Sequence, residues 1–254
     1  MIWVTVFLFG LVIGSFLNVC IYRLPRDLSI ISPPSSCPSC KNRIRPWDNI
    51  PVLSYIILGG KCRYCGERIS PRYPFVELLN GVFYLVVLWR YGITPSSVIL
   101  MVYFSSLIVI TFIDLDFQII PDVITIPGAI IGVVAGVIFM TDPFYRSQPL
   151  GWLNSLIGAS LGFGLFYLIA VLSRGGMGGG DIKMMAMVGA LTGWKGVLLT
   201  TFVGSLTGSI IGIFLVIFYG KGRKTKVPFG PFLAFGSVVT VLFGEEILRL
   251  YLGG

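Results

Sequence analysis

Residues 96–113 read SSVILMVYFSSLIVITFI, eighteen residues without a charged side chain, and the run ends at Asp114. A helix needs about 20 apolar residues to cross a hydrocarbon core about 30 Å thick, so this run is long enough to span a bilayer. The whole chain has the same character, because its 254 residues are 55% hydrophobic and only 12% charged. Soluble domains carry about 25% charged residues. This composition excludes a water-soluble globular protein.

Seven further apolar runs, bounded by charge, Gly or Pro, predict an all-α polytopic membrane protein with about eight transmembrane helices. The sixth run in chain order is short, and we expect a turn at Gly193 and Trp194 to separate it from the seventh. We interpret the first run as a retained helix and not as a signal peptide, because Arg23 and Arg26 follow it instead of preceding it. The seven runs are 2–22, 75–89, 123–140, 151–172, 182–191, 196–219 and 232–252.

The basic residues indicate how the helices are oriented. Residues 23–72 hold nine of the nineteen Lys and Arg residues, and residues 221–226 hold four. Cytoplasmic loops of membrane proteins are enriched in Lys and Arg, so we predict that these two segments and the 174–183 loop face the cytoplasm. The formal charge of +8 then reflects topology and contact with anionic lipid headgroups, and we expect no binding of nucleic acid.

One polar insertion, residues 24–73, interrupts the helices and is rich in Pro, Ser and Arg. We therefore predict three parts: a first transmembrane helix (1–23), a small cytoplasmic domain (24–73) and a transmembrane core (74–254). A short segment with so little apolar content needs a covalent or metal crosslink to fold. The insertion supplies four cysteines that could provide one.

These cysteines form two Cys-x-x-Cys motifs with twenty-one residues between them: Cys37 with Cys40, and Cys62 with Cys65. Paired motifs at this spacing are typical of tetrahedral zinc ligation. Four thiolates leave no open position on the metal, so the zinc ion would be structural and not catalytic. Two disulfides are the alternative, which a reducing cytoplasm disfavours. Cys20 lies in the first apolar run and is interpreted as a packing residue.

Two aspartates are the candidates for chemistry. The chain contains no histidine, which removes Ser-His-Asp and Cys-His catalysis and His-ligated catalytic zinc. Asp114 ends the run 96–113, and Asp181 follows three glycines and opens the run 182–191. Two facing carboxylates that share a proton can activate water and protonate a carbonyl group, as in aspartic proteases. A helix cap is the alternative for Asp181.

Other ionisable residues are candidates for supporting roles, since such groups are costly in or beside membrane helices. We expect Asp116 to tune its neighbour, Lys183 to offset local negative charge and Glu77 to line the same cavity as the two aspartates. Asp122 follows Pro121 and is interpreted as a first-turn helix charge. Buried carboxylates also carry ions, so an ion-coupled transporter is a rival interpretation. A non-enzymatic, zinc-containing assembly factor of a secretion system is a second.

Taken in order, the motifs of this chain resemble those of the type 4 prepilin peptidases, a bacterial family of GxGD membrane aspartic proteases. The resemblance covers almost the whole chain and places the two catalytic aspartates of the family on Asp114 and Asp181. The matching stretches are residues 14–19 (GSFLNV) and 22–25 (YRLP), the cysteine motifs around 45–51 (RPWDNIP), 72–74 (RYP) with Glu77, 113–114 (ID) with 121–122 (PD), 178–183 (GGGDIK) and 228–231 (PFGP).

The resemblance implies an activity, a cofactor, substrates and a location. The family removes the basic leader of type IV prepilins or type II secretion pseudopilins, cutting after a glycine at the cytoplasmic edge of the bacterial inner membrane. Many members also N-methylate the new amino terminus with S-adenosylmethionine, an activity associated with the cysteine-bearing domain. This chain keeps that domain, so the resemblance implies a bifunctional enzyme. It does not indicate where S-adenosylmethionine binds.

Overall fold

The structure, a computed structural model, describes residues 1–174, 176–219 and 227–252. Within these ranges it is helical and has no β-strand, so the predicted all-α class is confirmed. The basic segment 221–226, on which the predicted orientation partly depends, lies outside the described residues. The α-helices are α1 (Ile2–Arg23), α2 (Leu53–Ile57), α3 (Arg72–Tyr91), α4 (Pro95–Phe117), α5 (Asp122–Ile138), α6 (Trp152–Leu172), α7 (Gly179–Tyr219) and α8 (Gly230–Leu252).

The long helices correspond to the predicted membrane segments, and the chain is a multi-pass membrane protein. In the described part of the chain, α1, α4, α6, α7 and α8 are long and apolar enough to cross a membrane, and α5 is apolar but shorter. Helix α7 is 41 residues long and breaks at Gly193, where φ is 72° and ψ is −178°. Only glycine adopts that backbone conformation readily. The predicted turn is confirmed, and α7 supplies two of the eight predicted segments.

The helices group into two compact units, Met1–Val109 and Ile110–Gly254. Unit 1 contains α1, α2, α3, the first part of α4 and the polar insertion with its cysteines. Unit 2 contains the C-terminal end of α4 and helices α5 to α8. The boundaries at residues 24–73 and 74–254, drawn above from polarity and charge, stay predictions.

In unit 1, α1 packs closely along α3. A Cβ atom on Gly14 would lie 2.6 Å from the Cα atom of Glu77, so only glycine lets the two backbones approach this far. The approach brings the buried side chain of Asn80 to α1, where its Nδ2 donates a hydrogen bond of 2.7 Å to the carbonyl of Gly10. Asn80 also accepts a 2.8 Å hydrogen bond from Ser105 of α4. Glu77 is thereby held at the α1–α3 contact.

In unit 2, α6 and α7 approach each other through glycine in the same way, with Gly158 against Gly189. Ser155 of α6 donates a 2.6 Å hydrogen bond to the carbonyl of Ala190 near the break in α7. At that same end of the unit, Arg146 reaches Glu246 of α8 at 2.8 Å. The ends of α4 and α6 and the starts of α5, α7 and α8 all lie at the opposite end. That end carries both candidate aspartates.

Candidate active site and cysteine cluster

Asp114 lies in the last turn of α4 and is buried. Its Oδ2 atom accepts a 3.0 Å hydrogen bond from the backbone N–H of Gly230, the first residue of α8. A Cβ atom at position 230 would lie only 2.6 Å from this oxygen, so the contact requires glycine. Sequence reasoning quoted the stretch 228–231 but gave Gly230 no role. The sequence offered one signal, the glycine between Phe229 and Pro231, because glycine is common where the backbone passes close to another group.

Asp181 lies in the first turn of α7 and is also buried. Its Oδ2 atom lies 3.5 Å from the place that a Cβ atom on Gly178 would take. Its Oδ1 atom is buried and has no hydrogen-bond partner among the residues that the structure describes. A buried carboxylate oxygen without a partner costs free energy unless a proton, water or a bound molecule satisfies it. The described residues leave this oxygen unsatisfied.

The two aspartates meet at one end of unit 2. Ile120 lies between their supporting segments: a Cβ atom on Gly180 would lie 2.7 Å from its Cβ, and one on Gly230 would lie 3.2 Å from its Cδ1. Glycine at both positions lets the starts of α7 and α8 approach the end of α4. Asp181 and Gly230, the residue hydrogen-bonded to Asp114, therefore lie on segments that both contact Ile120. The structure thus assembles the pair that the sequence singled out, and their catalytic role is taken up below.

The neighbouring charged residues take different positions. Lys183 Nζ lies 2.6 Å from Asp122 Oδ2, so it offsets a negative charge beside the pair, as expected. Both side chains are largely exposed, and such ion pairs contribute only about 0.2–1 kcal/mol. Asp116 is exposed, and its tuning role stays a prediction. Glu77 belongs to unit 1, where it lines a cavity described below.

The four cysteines of the insertion form one cluster. Their sulfur atoms all lie within 4.8 Å of one another, with Cys37 and Cys65 3.8 Å apart and Cys40 and Cys62 4.0 Å apart. A tetrahedral zinc ion with Zn–S bonds of about 2.3 Å holds its sulfurs roughly 3.8 Å apart. All four are free thiols, so the disulfide alternative is not what the structure contains. The cluster could hold a metal ion.

The two Cys-x-x-Cys turns have the same backbone geometry. The residue after the second cysteine has a positive φ in each, 59° at Lys41 and 71° at Gly66. Its N–H donates back to the carbonyl of the first cysteine, at 2.9 Å to Cys37 and 3.0 Å to Cys62. The backbone N–H of Cys40 lowers the pKa of the Cys37 thiol to about 7. Against a hydrogen bond from the backbone of Glu67, desolvation and the other thiols raise the pKa of Cys65 to about 12. The spacing of the four sulfurs, and not the pKa of one thiol, therefore fits a metal ion.

An ion pair connects the second turn to the segment that lies between the two turns in the sequence. Arg63, inside the second turn, places Nη2 2.6 Å from Asp48 Oδ1 and Nε 2.8 Å from Asp48 Oδ2. These hydrogen bonds hold the pKa of Asp48 below its usual range. Arg45 donates a 2.7 Å hydrogen bond from Nε to the hydroxyl of Tyr64. Residues 45–51, whose match was noticed from sequence, thus hold the second turn in place.

Both halves of the chain match known families. Residues 8–91 match the bacterial peptidase A24 N-terminal domain, and residues 101–213 match the type IV leader peptidase family. A prepilin leader peptidase/N-methyltransferase of Pseudomonas aeruginosa is 34% identical over 273 residues, covering 96% of this chain and 91% of that protein. The chain belongs to the type IV leader peptidase family. The resemblance noted from its motifs is therefore confirmed.

Other members of the type IV leader peptidase family match over similar lengths. Proteins with the same name are 35% identical in Legionella pneumophila, covering 99% of this chain and 94% of the relative, and in Bacillus subtilis, covering 97% and 96%. No solved structure matches the chain at a significant level. The four cysteines lie within the matched N-terminal domain, and Asp114 and Asp181 lie within the matched leader peptidase region.

Proposed function

We propose that this member of the type IV leader peptidase family is a membrane aspartic endopeptidase and an N-methyltransferase. It cleaves the basic leader from type IV prepilins or type II secretion pseudopilins after a glycine, and it methylates the new amino terminus. The names of relatives that match along nearly the whole chain support both activities. The observation that carries the peptidase assignment is the approach of two buried carboxylates, Asp114 and Asp181, at one end of unit 2.

In the proposed mechanism the two carboxylates share one proton, because two facing carboxylates do not both ionise easily. The hydrogen bond from Gly230 stabilises the ionised form of Asp114, so Asp114 takes a proton from the attacking water. Asp181 carries the shared proton on Oδ1, the buried oxygen without a partner, and donates it to the scissile carbonyl. The tetrahedral intermediate then breaks its C–N bond, and the leaving amine takes the proton that Asp114 removed from water. Asp181 recovers its proton from the intermediate's hydroxyl as the carbonyl group re-forms.

The position of the pair suits a substrate that is half in the membrane. Asp114 lies at the end of an apolar helix and Asp181 at the start of another, so the pair lies where the apolar segments end. A basic leader stays in the cytoplasm while the following apolar helix lies in the bilayer, which puts the scissile bond at the cytoplasmic edge. On the orientation predicted from charge, the aspartates lie at that depth in the inner membrane.

We also propose that Cys37, Cys40, Cys62 and Cys65 hold a structural Zn²⁺ ion. The spacing of their sulfurs fits tetrahedral zinc, and four thiolates leave no position for a substrate. When bound, the ion supplies the crosslink that a small insertion with few apolar residues needs. The ion takes no part in peptide hydrolysis in this proposal.

Cys37→Ser should remove most of the bound zinc and make residues 24–73 sensitive to protease, because a serine hydroxyl is a poor zinc ligand. Metal content per purified chain and limited proteolysis measure the two effects. Cys20→Ala is the matched control, since Cys20 is a buried free cysteine outside the cluster. It should keep its zinc. Undiminished zinc in Cys37→Ser would contradict the site.

The two activities can be tested in one experiment. Purified chain is incubated with a prepilin, with and without S-adenosylmethionine, and the product is analysed by mass spectrometry. We expect loss of the leader in both reactions, and a gain of one methyl group only when S-adenosylmethionine is present. An intact prepilin would reject the peptidase and favour the assembly factor. An intact prepilin together with ion flux through reconstituted vesicles would favour the transporter.

A further inference from the structure

Unit 1 contains a cavity of 470 Å³. It lies between α1, α3 and the polar insertion, and residues from all three line it, including Ser15, Tyr22, Val52, Tyr73 and Glu77. Sites for small molecules and cofactors have volumes of about 300–1,000 Å³. The lining includes neither Asp114 nor Asp181. The proposed peptidase mechanism therefore leaves this cavity unused.

Glu77 is the most deeply buried charged residue of the lining, with 7% of its surface exposed. Its Oε2 atom accepts a 2.8 Å hydrogen bond from the N–H of Val52. This donor is neutral, and no Lys or Arg of the described residues forms an ion pair with Glu77. A buried carboxylate is costly without a positive partner. A cation bound in the cavity would supply one.

The backbone around Glu77 is strained in a way that fits a binding site. Val52, which donates to the carboxylate, has a φ of 60°. A positive φ is rare for a β-branched residue and strains the backbone. A strained backbone conformation persists only where contacts with the surrounding structure stabilise it. Here the strained conformation directs the N–H of Val52 at the carboxylate of Glu77.

The remaining lining suits a flat, partly apolar ligand. It includes the aromatic rings of Tyr55 and Tyr73, which offer surfaces for stacking against a base or packing against a cation. The rings of Tyr22 and Tyr64 also belong to the lining, and Arg26 and Arg45 already pack over them. The other acidic groups are engaged or exposed: Asp48 is paired with Arg63, and Glu67 is at the surface. Of the basic residues in the lining, Arg63 is paired with Asp48, Arg23 donates to the carbonyls of Ser29 and Pro33, and Lys41 and Arg68 lie at the surface. The cavity therefore combines aromatic walls with one buried carboxyl group that has no cationic partner. A cation of nucleoside size meets both requirements.

We propose that this cavity is the S-adenosylmethionine site and that Glu77 contacts a cationic group of the bound cofactor. This inference rests on the proposed N-methylation. The sulfonium and ammonium groups of the cofactor are cations, and its adenine ring is the flat group that tyrosines can pack against. Methyl transfer forms one C–N bond with the neutral amino terminus and breaks one S–C bond, whose electron pair stays on sulfur as a thioether. The methylated ammonium then releases one proton to water.

Direct binding tests the role of Glu77 without relying on turnover. Radiolabelled S-adenosylmethionine is equilibrated with the full-length chain in nanodiscs, and Glu77→Gln should bind it at least about tenfold more weakly, a loss of about 1.4 kcal/mol. Glutamine keeps the size of the side chain and an oxygen for Val52, so the change removes mainly the charge. Asp27→Asn removes a negative charge from an exposed residue of the same unit that does not line the cavity, and it should bind within about twofold of wild type. Equal affinity of Glu77→Gln and wild type, or equal weakening by both variants, would overturn the assignment.

A second measurement on the unaltered chain covers the case in which Glu77→Gln does not fold. Ultraviolet light crosslinks bound S-adenosylmethionine to nearby aromatic residues, and the labelled peptides are identified after digestion. We expect the label on peptides that contain Tyr22, Tyr55, Tyr64 or Tyr73. Label confined to residues 110–252 would overturn the proposal. A wild-type chain that cleaves prepilin but binds no S-adenosylmethionine would instead contradict the proposed methyltransferase function itself.

Discussion

Asp114→Asn and Asp181→Asn, made separately, should each lower the rate of prepilin cleavage by at least about 10³-fold. Asparagine has nearly the shape of aspartate but neither takes a proton from water nor donates an acidic proton to a carbonyl. At position 114 the amide oxygen can still accept from the N–H of Gly230, so the local packing should persist. The cleavage rate in detergent or nanodiscs measures the effect.

Two controls separate catalysis from folding in these variants. Asp142→Asn removes another buried carboxylate of unit 2, one that accepts a hydrogen bond from the N–H of Phe144, and it should cleave at nearly the wild-type rate. Binding of S-adenosylmethionine by Asp114→Asn and Asp181→Asn should be unchanged, because the proposed cofactor cavity contains neither residue. Full processing of prepilin by either aspartate variant would refute the catalytic pair.

Gly230→Ala should lower the cleavage rate by about 10²-fold, since misplacing a catalytic group by about 1 Å can cost that much. The added Cβ atom would lie 2.6 Å from Asp114 Oδ2 and 3.2 Å from Ile120 Cδ1, so the carboxylate or the start of α8 must move. The backbone N–H remains in this variant. The loss therefore reports the displacement of Asp114 and not the removal of its donor.

The matched control for Gly230→Ala is Gly164→Ala in α6. A Cβ atom at position 164 meets nothing within 4 Å, so this variant adds the same methyl group to a helix without a clash. It should cleave at the wild-type rate, and both variants should keep a thermal unfolding temperature close to that of wild type. A wild-type cleavage rate in Gly230→Ala would show that the Gly230 contact does not position Asp114.

The cysteine site could be predicted almost completely from sequence. Two Cys-x-x-Cys motifs separated by a short polar segment bring four sulfurs together through local turns, and each turn closes with a hydrogen bond inside its own motif. The candidate active site was predictable only in part. The absence of histidine and the position of Asp114 and Asp181 at helix ends selected the pair, but nothing local indicated that Gly230 would donate to Asp114.

Glu77 is a second residue whose environment could not be predicted from the sequence. Its position in an apolar helix marked it as a candidate, and sequence reasoning expected it to share a cavity with the aspartates. The structure gives it partners in unit 1, and the partner that defines its environment is Val52, twenty-five residues away in the insertion. The strained backbone of Val52 has no sequence signature, because no pattern of residue types requires a β-branched residue at a positive φ.

The sequence by itself determined the membrane segments, the break at Gly193, the cysteine cluster and the identity of the two candidate aspartates. These follow from local properties: the length of apolar runs, the conformational freedom of glycine, and the spacing and polarity of ligands. Only the tertiary structure decided which backbone groups face those side chains. Gly230 is 116 residues from Asp114, and their contact depends on how the helices of unit 2 pack, which no local pattern encodes.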